Sequence, residues 1–279
     1  MKNAGVILCA VAALLLLTAC AGGGSGGDPP ATAMTPAADD TGTYYAGLAG
    51  LSGAALRDGL QDLLEADHRK LTYAEVWDAL QDTDQDPANP SHVILFYTGR
   101  SHDKADRDGQ PGCDNDSWNR EHIWPRSYGL GDESDYGFTD LHHLRPTDKS
   151  VNSSRGNRVF DNGGTPQGEA PDTYSDSDSW EPRDAIKGDT ARMIFYMDVR
   201  YDGSDGGMAD LHLLDDAGAV SGEPAMGVLC TLVAWHGEDP VDAAERTRND
   251  RIQAWQGNRN PFIDHPEWVG KLYGAACAR

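Results

Sequence analysis

The feature that most limits what this chain can fold into is the stretch from Gly99 to Gly188, which is dense in Gly, Asp, Asn, Ser and Pro and has no sustained helical period. A connection this long within a compact domain is uncommon and usually carries function. The flanks differ. Ser52 to Leu64 has Leu56, Leu60, Leu63 and Leu64 on one helical face, with Ser52 placed to cap. Thr72-Tyr73-Ala74-Glu75 has the spacing of a capping box, followed by Val76, Trp77 and Leu80 at helical intervals. Val93 to Tyr97 is a short apolar run expected to form a buried strand. Ala191 to Val199 is apolar nearly all round, as a central buried helix is. Met226 to Trp235 predicts another helix, and Asp239-Pro240 predicts the cap and first residue of one running to about Trp255 and stopping at Gly257. Pro266 to Tyr273 adds a short last helix. The expected fold class is α+β, a small irregular centre with long loops inside a mainly helical shell.

The N-terminus reads as a targeting segment. Lys2 precedes an apolar run, Val6 to Leu17, too short to span a bilayer as a helix. It ends in Leu17-Thr18-Ala19-Cys20, which resembles a bacterial lipobox. That resemblance implies a signal peptide over 1–19 and lipid on Cys20, with an outer-membrane or cell-surface location. Residues 20–42 are rich in Gly, Pro and Ala and form a flexible tether, and the folded domain is expected over 43–279. Cys113, Cys230 and Cys277 then remain, an odd number. Outside the cytoplasm this allows one disulfide and one thiol, and leaves the pairing open. No Cys-x-x-Cys pair is present, which argues against a structural zinc site.

Two segments carry chemistry. One is Trp118-Asn119-Arg120-Glu121-His122-Ile123-Trp124-Pro125. The other runs from Asp140-Leu141-His142-His143-Leu144-Arg145-Pro146 through Val151-Asn152-Ser153-Ser154-Arg155-Gly156-Asn157. Phosphodiester hydrolysis needs a base near neutral pH, for which histidine is suited. It also needs the phosphate charge offset, for which a hard divalent cation with oxygen ligands is suited. Glu121 and His122 provide one ligand and one base, and Asn152 adds an amide oxygen. A Glu-His pair by itself is weak evidence.

The whole arrangement resembles the bacterial endonuclease I family, which includes periplasmic and secreted non-specific nucleases of the ββα-metal (His-Me finger) type. The likeness extends to Phe96-Tyr97-Thr98-Gly99-Arg100, Lys187-Gly188-Asp189, Trp235-His236, Arg248-Asn249-Asp250 and Gln256-Gly257-Asn258-Arg259-Asn260-Pro261-Phe262, and covers roughly Tyr44 to Tyr273. It implies Glu121 and Asn152 as ligands of Mg²⁺, with Mn²⁺ as a substitute, and His122 as general base. It implies a phosphate-contacting arginine, for which Arg120, Arg126 and Arg155 compete with Arg155 first. Asn157 joins Arg120 and Arg126 as a substrate-binding residue. The implied core is a ββα-metal hairpin and helix. The implied substrate is DNA, with RNA second, cut to 5′-phosphate ends by a monomer. Neighbours on a regular strand face opposite ways, so Glu121 and His122 share a site only if the strand bends or ends there.

Other features stay open at this level. His142 and His143 are expected to fix their loop by hydrogen bonds. Asp172 to Asp178 reads as a solvated acidic loop, with Ca²⁺ binding as the alternative. Arg246, Arg248 and Arg251 form either a basic stripe or a salt-bridged helix face. The rival to a nuclease is a catalytically silent surface lipoprotein that binds nucleic acid, polysaccharide or a partner protein. Against both nucleic-acid readings stands the formal net charge of −22. An acidic body repels nucleic acid at long range, so a locally neutralised groove is required.

Overall fold

The computed structural model describes residues 41–111, 116–204, 208–216 and 223–278. The signal peptide, Cys20, nearly all of the tether and Cys113 lie outside the described residues. A short helix, α1 (Thr41–Tyr44), begins within the last two residues of the expected tether.

Helix α2 (Gly53–Ala66) starts after Ser52 and buries Leu56, Leu60 and Leu64, as their spacing requires. Helix α3 (Glu75–Thr83) has the expected capping box, in which the Glu75 amide donates to Thr72 Oγ1 at 3.2 Å and the Thr72 amide to Glu75 Oε2 at 2.7 Å. Strands β1 (His92–Ile94) and β2 (Ser101–Asp103) pair antiparallel. The expected strand to Tyr97 therefore stops at Ile94. Leu95, Phe96 and Tyr97 remain buried, but the chain leaves β1, and the Phe96 amide donates to Pro146 O at 2.9 Å. Apolarity there reports burial and not strand pairing.

Strands β3 (Trp118–His122) and β4 (Leu144–Asp148) form the central antiparallel hairpin, with Glu121 opposite Arg145 and His122 opposite Leu144. Helix α4 (Tyr136–Thr139) sits in the connection between them. Helix α5 (Lys149–Arg155) follows β4 directly and is capped by Asp148, whose side chain accepts from the Ser150 amide at 3.1 Å. It ends at Gly156, where φ is 61° and ψ −120°, backbone that only glycine adopts without strain. Beyond it, β5 (Val159–Phe160), β6 (Thr165–Pro166), β7 (Tyr174–Ser175) and β8 (Ser179–Glu181) form a sheet of order β5-β8-β7-β6.

Helix α6 (Lys187–Arg200) is buried around nearly its whole circumference, as expected. After the parallel pair β9 (His212–Leu213) and β10 (Ala225–Met226) come α7 (Leu229–Glu238), α8 (Ala243–Gln256), α9 (Pro261–Asp264) and α10 (Glu267–Cys277). Two expected starts are corrected. Met226 belongs to β10, so the helix expected from it begins at Leu229. The cap of α8 is Asp242, which exchanges capping-box bonds with Glu245, whereas Asp239 accepts from the Gly188 amide at 2.9 Å. Gly257 ends α8 as expected. A disulfide joins Cys230 in α7 to Cys277 in α10. One apolar core surrounds α6. A second, including Val76, Leu80, Trp118, Leu144 and Ile252, links α3 and α8 to the β3–β4 hairpin. The mixed helices and small sheets are those of an α+β fold.

Candidate active site

A cleft of about 660 Å³ opens beside β3. It is lined by Asn119, Arg120, Glu121 and His122 of β3, Asn152 of α5, the Gly156-Asn157 turn, Arg126, and the rings of Tyr73, Trp77 and Phe138. Residues from both faces of β3 thus reach one cleft. Asn119 and Glu121 share the face that meets Asn152, and Arg120 and His122 share the face that meets Tyr73 and Phe138. Strand β3 ends at His122, where the alternation of faces ends with it.

His122 is buried, and its Nε2 lies 2.9 Å from Phe138 O. A carbonyl only accepts, so Nε2 carries the ring proton and Nδ1 holds the lone pair. Burial, with help from His143, Arg126 and Arg120, holds the imidazole pKa well below its ordinary value. The ring is therefore neutral at physiological pH, the form that accepts a proton. His143 is held in turn by Gly137 O at 2.7 Å, and His142 reaches Asn258 O at 3.3 Å. Both histidines fix the 136–143 loop, as expected. Asp140 anchors it, accepting from Tyr196 and Tyr201 hydroxyls and from Gln256 Nε2, each at 2.8 Å.

Glu121 is 2% exposed. Its Oε1 accepts from the Tyr97 hydroxyl at 2.8 Å and from Arg155 Nη1 at 3.3 Å. Burial pushes its carboxyl pKa up, opposed by Arg155 and the Tyr97 hydroxyl. Asn152 Nδ2 donates to Asn119 Oδ1 at 2.8 Å, which fixes the amide orientation and leaves the Asn152 Oδ1 as the acceptor end. A carboxylate and an amide oxygen in one cleft suit a hard divalent cation. Among the described residues no three His, Cys, Asp or Glu side chains cluster as a ligand set. The donors therefore fit an ion that keeps most of its waters, as Mg²⁺ does, and not a closed protein cage.

Arg155 departs from the expectation of a phosphate contact. It is fully buried, donating to Glu121, to His122 O at 3.0 Å and to Ile123 O at 2.7 Å, with the guanidinium over the Phe160 ring. Position 155 follows Asn152 by three residues on α5, and the side chain runs beneath the end of β3, not into the cleft. Arg120, Arg126 and Asn157 do line the cleft. Of the two readings of α8, the salt-bridged face is the one that forms: Arg248 is buried against Asp84 and the Leu141 and Leu144 carbonyls, and Arg251 bonds to Asp82 O and pairs with the Asp82 carboxylate. In the acidic loop, Asp176 accepts from the Asp178 and Ser179 amides and the Ser179 hydroxyl, which closes a local turn. The sequence motifs include Asn119 and Tyr97 but assign neither a role in the site, and Tyr73, Trp77 and Phe138 were not expected there. Asn119 had a legible signal, since it stands two residues before Glu121 on a strand and so shares its face. Tyr97 lies in a motif that carries the family likeness, but its bond to Glu121 spans 24 residues and no local pattern encodes it.

A neutral histidine, a braced carboxylate and an oriented carboxamide in an arginine-lined cleft equip a chain for phosphodiester hydrolysis, and the comparisons agree on a nuclease. The model of the Endonuclease I family matches residues 52–267, and the chain belongs to that family. It is 51% identical over 245 residues to an extracellular ribonuclease of Bacillus amyloliquefaciens, covering 87% of this chain and 82% of the relative. Identity to the extracellular ribonuclease of Bacillus subtilis is also 51%, over 84% of this chain and 79% of the relative. An extracellular deoxyribonuclease of Aeromonas hydrophila is 30% identical over half of this chain and 55% of its own. The chain is accordingly an extracytoplasmic nuclease.

Proposed function

We propose that this protein cuts internal phosphodiester bonds of RNA and DNA with little sequence preference, with His122 as general base. The observation that carries this reading is the pinning of His122 Nε2 by Phe138 O, which turns the lone pair of Nδ1 to proton acceptance in the cleft that holds Glu121 and Asn152. Nδ1 takes the proton of a water as its oxygen attacks phosphorus in line. The P–O3′ bond breaks, the leaving oxygen takes a proton from solvent, and the products are a 5′-phosphate and a 3′-hydroxyl. Glu121 and Asn152 would hold Mg²⁺, or Mn²⁺ in its place, which when bound offsets charge on the phosphate and on the leaving oxygen. In this reading β3, β4 and α5 are the ββα-metal core, and Tyr97, Arg155 and Asn119 keep the two ligands in place.

RNA ranks first as substrate because the relatives at 51% identity are named ribonucleases; the deoxyribonuclease at 30% supports DNA as well. The test is digestion of a homopolymer RNA and of plasmid DNA by the purified domain, with and without EDTA. Cleavage of either that stops in EDTA and falls about 10²–10⁴-fold in His122→Ala is expected. Undiminished cleavage by His122→Ala refutes the assignment. We also propose a monomer anchored by lipid on Cys20: Cys20→Ser, expressed with its own leader, releases the protein from the membrane fraction, and equal membrane association of both forms refutes the anchor.

A further inference from the structure

The acidic balance of the chain raises the question of what holds a polyanion in the cleft. Most arginines and lysines near the hairpin are already neutralised. Arg100 pairs with Asp148, Arg145 with Asp84 at 3.2 Å, Arg107 with Asp78 at 3.8 Å, Lys149 with Asp108 at 2.7 Å, and Arg155 with Glu121. Arg120 and Arg126 are treated differently. Among the described residues neither makes an ion pair. Arg120 lies with its guanidinium carbon 3.3 Å from the Tyr73 ring centroid and 4.2 Å from that of Trp77, and Nη1 donates to Tyr73 O. Arg126 is exposed, 5.6 Å over Phe138.

An aromatic face holds a guanidinium in place through its quadrupole without cancelling its charge. A carboxylate in the same position would cancel it. A guanidinium has five N–H donors in its plane, and stacking occupies its faces while leaving its edge donors available. Arg120 spends one of those donors on Tyr73 O.

We infer that Arg120 and Arg126, mounted on aromatic rings, form the track that binds two phosphates of the substrate backbone beside the reacting one, with Tyr73 and Trp77 as positioning residues acting through Arg120. The inference rests on the nuclease reading above and deepens it. It makes substrate recognition sequence-independent, since the contacts are to backbone charge. It also locates the neutralised groove that a chain of net charge −22 requires.

The experiment measures binding of a labelled single-stranded oligonucleotide to the His122→Ala protein in Mg²⁺ across a range of NaCl concentrations. Each phosphate contact contributes about 0.7 to the slope of log affinity against log salt for a single strand. Arg120→Gln and Arg126→Gln should therefore each flatten the slope by about 0.7, while Arg126→Lys, which keeps the charge at an exposed position, retains it. Trp77→Leu removes a cation–π contact and should weaken binding about three- to tenfold. In the Arg120→Gln background the same Trp77→Leu change should have no further effect. Unchanged slopes in both glutamine variants overturn the track. A Trp77→Leu loss that persists in full without Arg120 overturns the positioning role, because the ring would then touch the substrate directly. Hydrolysis by the unmodified protein reports on the nuclease reading separately: absent activity is a failure of that reading, and retained activity with unchanged slopes is a failure of this one.

Discussion

Replacing Arg155 with methionine separates the phosphate contact expected from the sequence from the buried brace that the structure shows. A phosphate-contacting arginine at a cleft wall is nearly irrelevant to folding, and its loss raises KM. A buried brace behaves differently. Arg155 donates to Glu121, His122 O and Ile123 O and is fully buried. Arg155→Met keeps most of the stem volume and removes all three bonds. Breaking a buried ion pair from one side costs about 3–5 kcal/mol, and leaving buried carbonyls unpaired adds about 1–3 kcal/mol each. These terms overlap because they share one guanidinium, so the expected loss is about 4–6 kcal/mol.

The loss should also depend on pH. With its cation gone, Glu121, whose carboxyl pKa burial already pushes up, is pushed up further. A carboxyl with a folded-state pKa above its unfolded value costs stability as pH rises through that interval. The deficit of Arg155→Met relative to the parent should therefore be larger at pH 8 than at pH 5. Urea unfolding at the two pH values, in EDTA and without substrate, measures it. If Arg155→Met unfolds within about 1 kcal/mol of the parent while KM for RNA rises tenfold or more, Arg155 is a phosphate contact and the buried-brace account is wrong.

Asn119→Ala removes the acceptor that orients Asn152, and should weaken Mn²⁺ binding in calorimetry by about 10–100-fold with little change in melting temperature; unchanged Mn²⁺ affinity would sever Asn152 from the metal. His68, His142 and His143 are pushed down to about 4 by burial, against the pull of Asp140. Because the unfolded chain binds their protons first, stability should be full above pH 6.5 and fall toward pH 4, by about 3 kcal/mol for one such histidine and by less than three times that for the set, which shares Asp140. Chemical denaturation at pH 7.5 and 4.5 tests this, and a flat profile rejects it. The Cys230–Cys277 bridge closes a separation of 47 residues, for which the chain-entropy model gives about 4 kcal/mol. The double alanine variant should melt lower yet cut RNA at 25 °C at the parent rate, since neither α7 nor α10 lines the cleft; a parental melting temperature would show that the bridge adds nothing.

Legibility in the sequence followed the range of the interaction. The Thr72–Glu75 box, the leucine face of α2 and the apolar girth of α6 are local patterns, and each formed as read. Glu121, His122 and Asn152 do meet in one cleft. Residue type was no guide to burial, which is why Arg155 was placed at the substrate and Arg248 was left open. The α8 cap was missed because Asp239 and Asp242 both precede the helix, and the Gly188 amide, 51 residues away in sequence, claims the first. The end of β1 was missed because the Phe96 amide bonds to Pro146 O of β4, a contact no periodicity encodes.

The acidic excess makes more sense once its carboxylates are followed to their partners. Helix α5 has seven residues, too few to persist without help from its ends and from packing. Asp148 caps it, Gly156 ends it, and Arg155 ties its last turn to β3 through Glu121 and two carbonyls. The Asn152 amide is thus held by a helix whose two ends are both fixed. Asp148 also takes Arg100, Asp84 takes both Arg145 and Arg248 behind β4, and Asp242 caps α8. Asp148 caps the short helix that carries Asn152, and Asp148 and Asp84 occupy arginines around the hairpin. Arg120 and Arg126 escape that neutralisation because rings, not carboxylates, hold them. An acidic chain can therefore keep its positive charge where a phosphate backbone would lie.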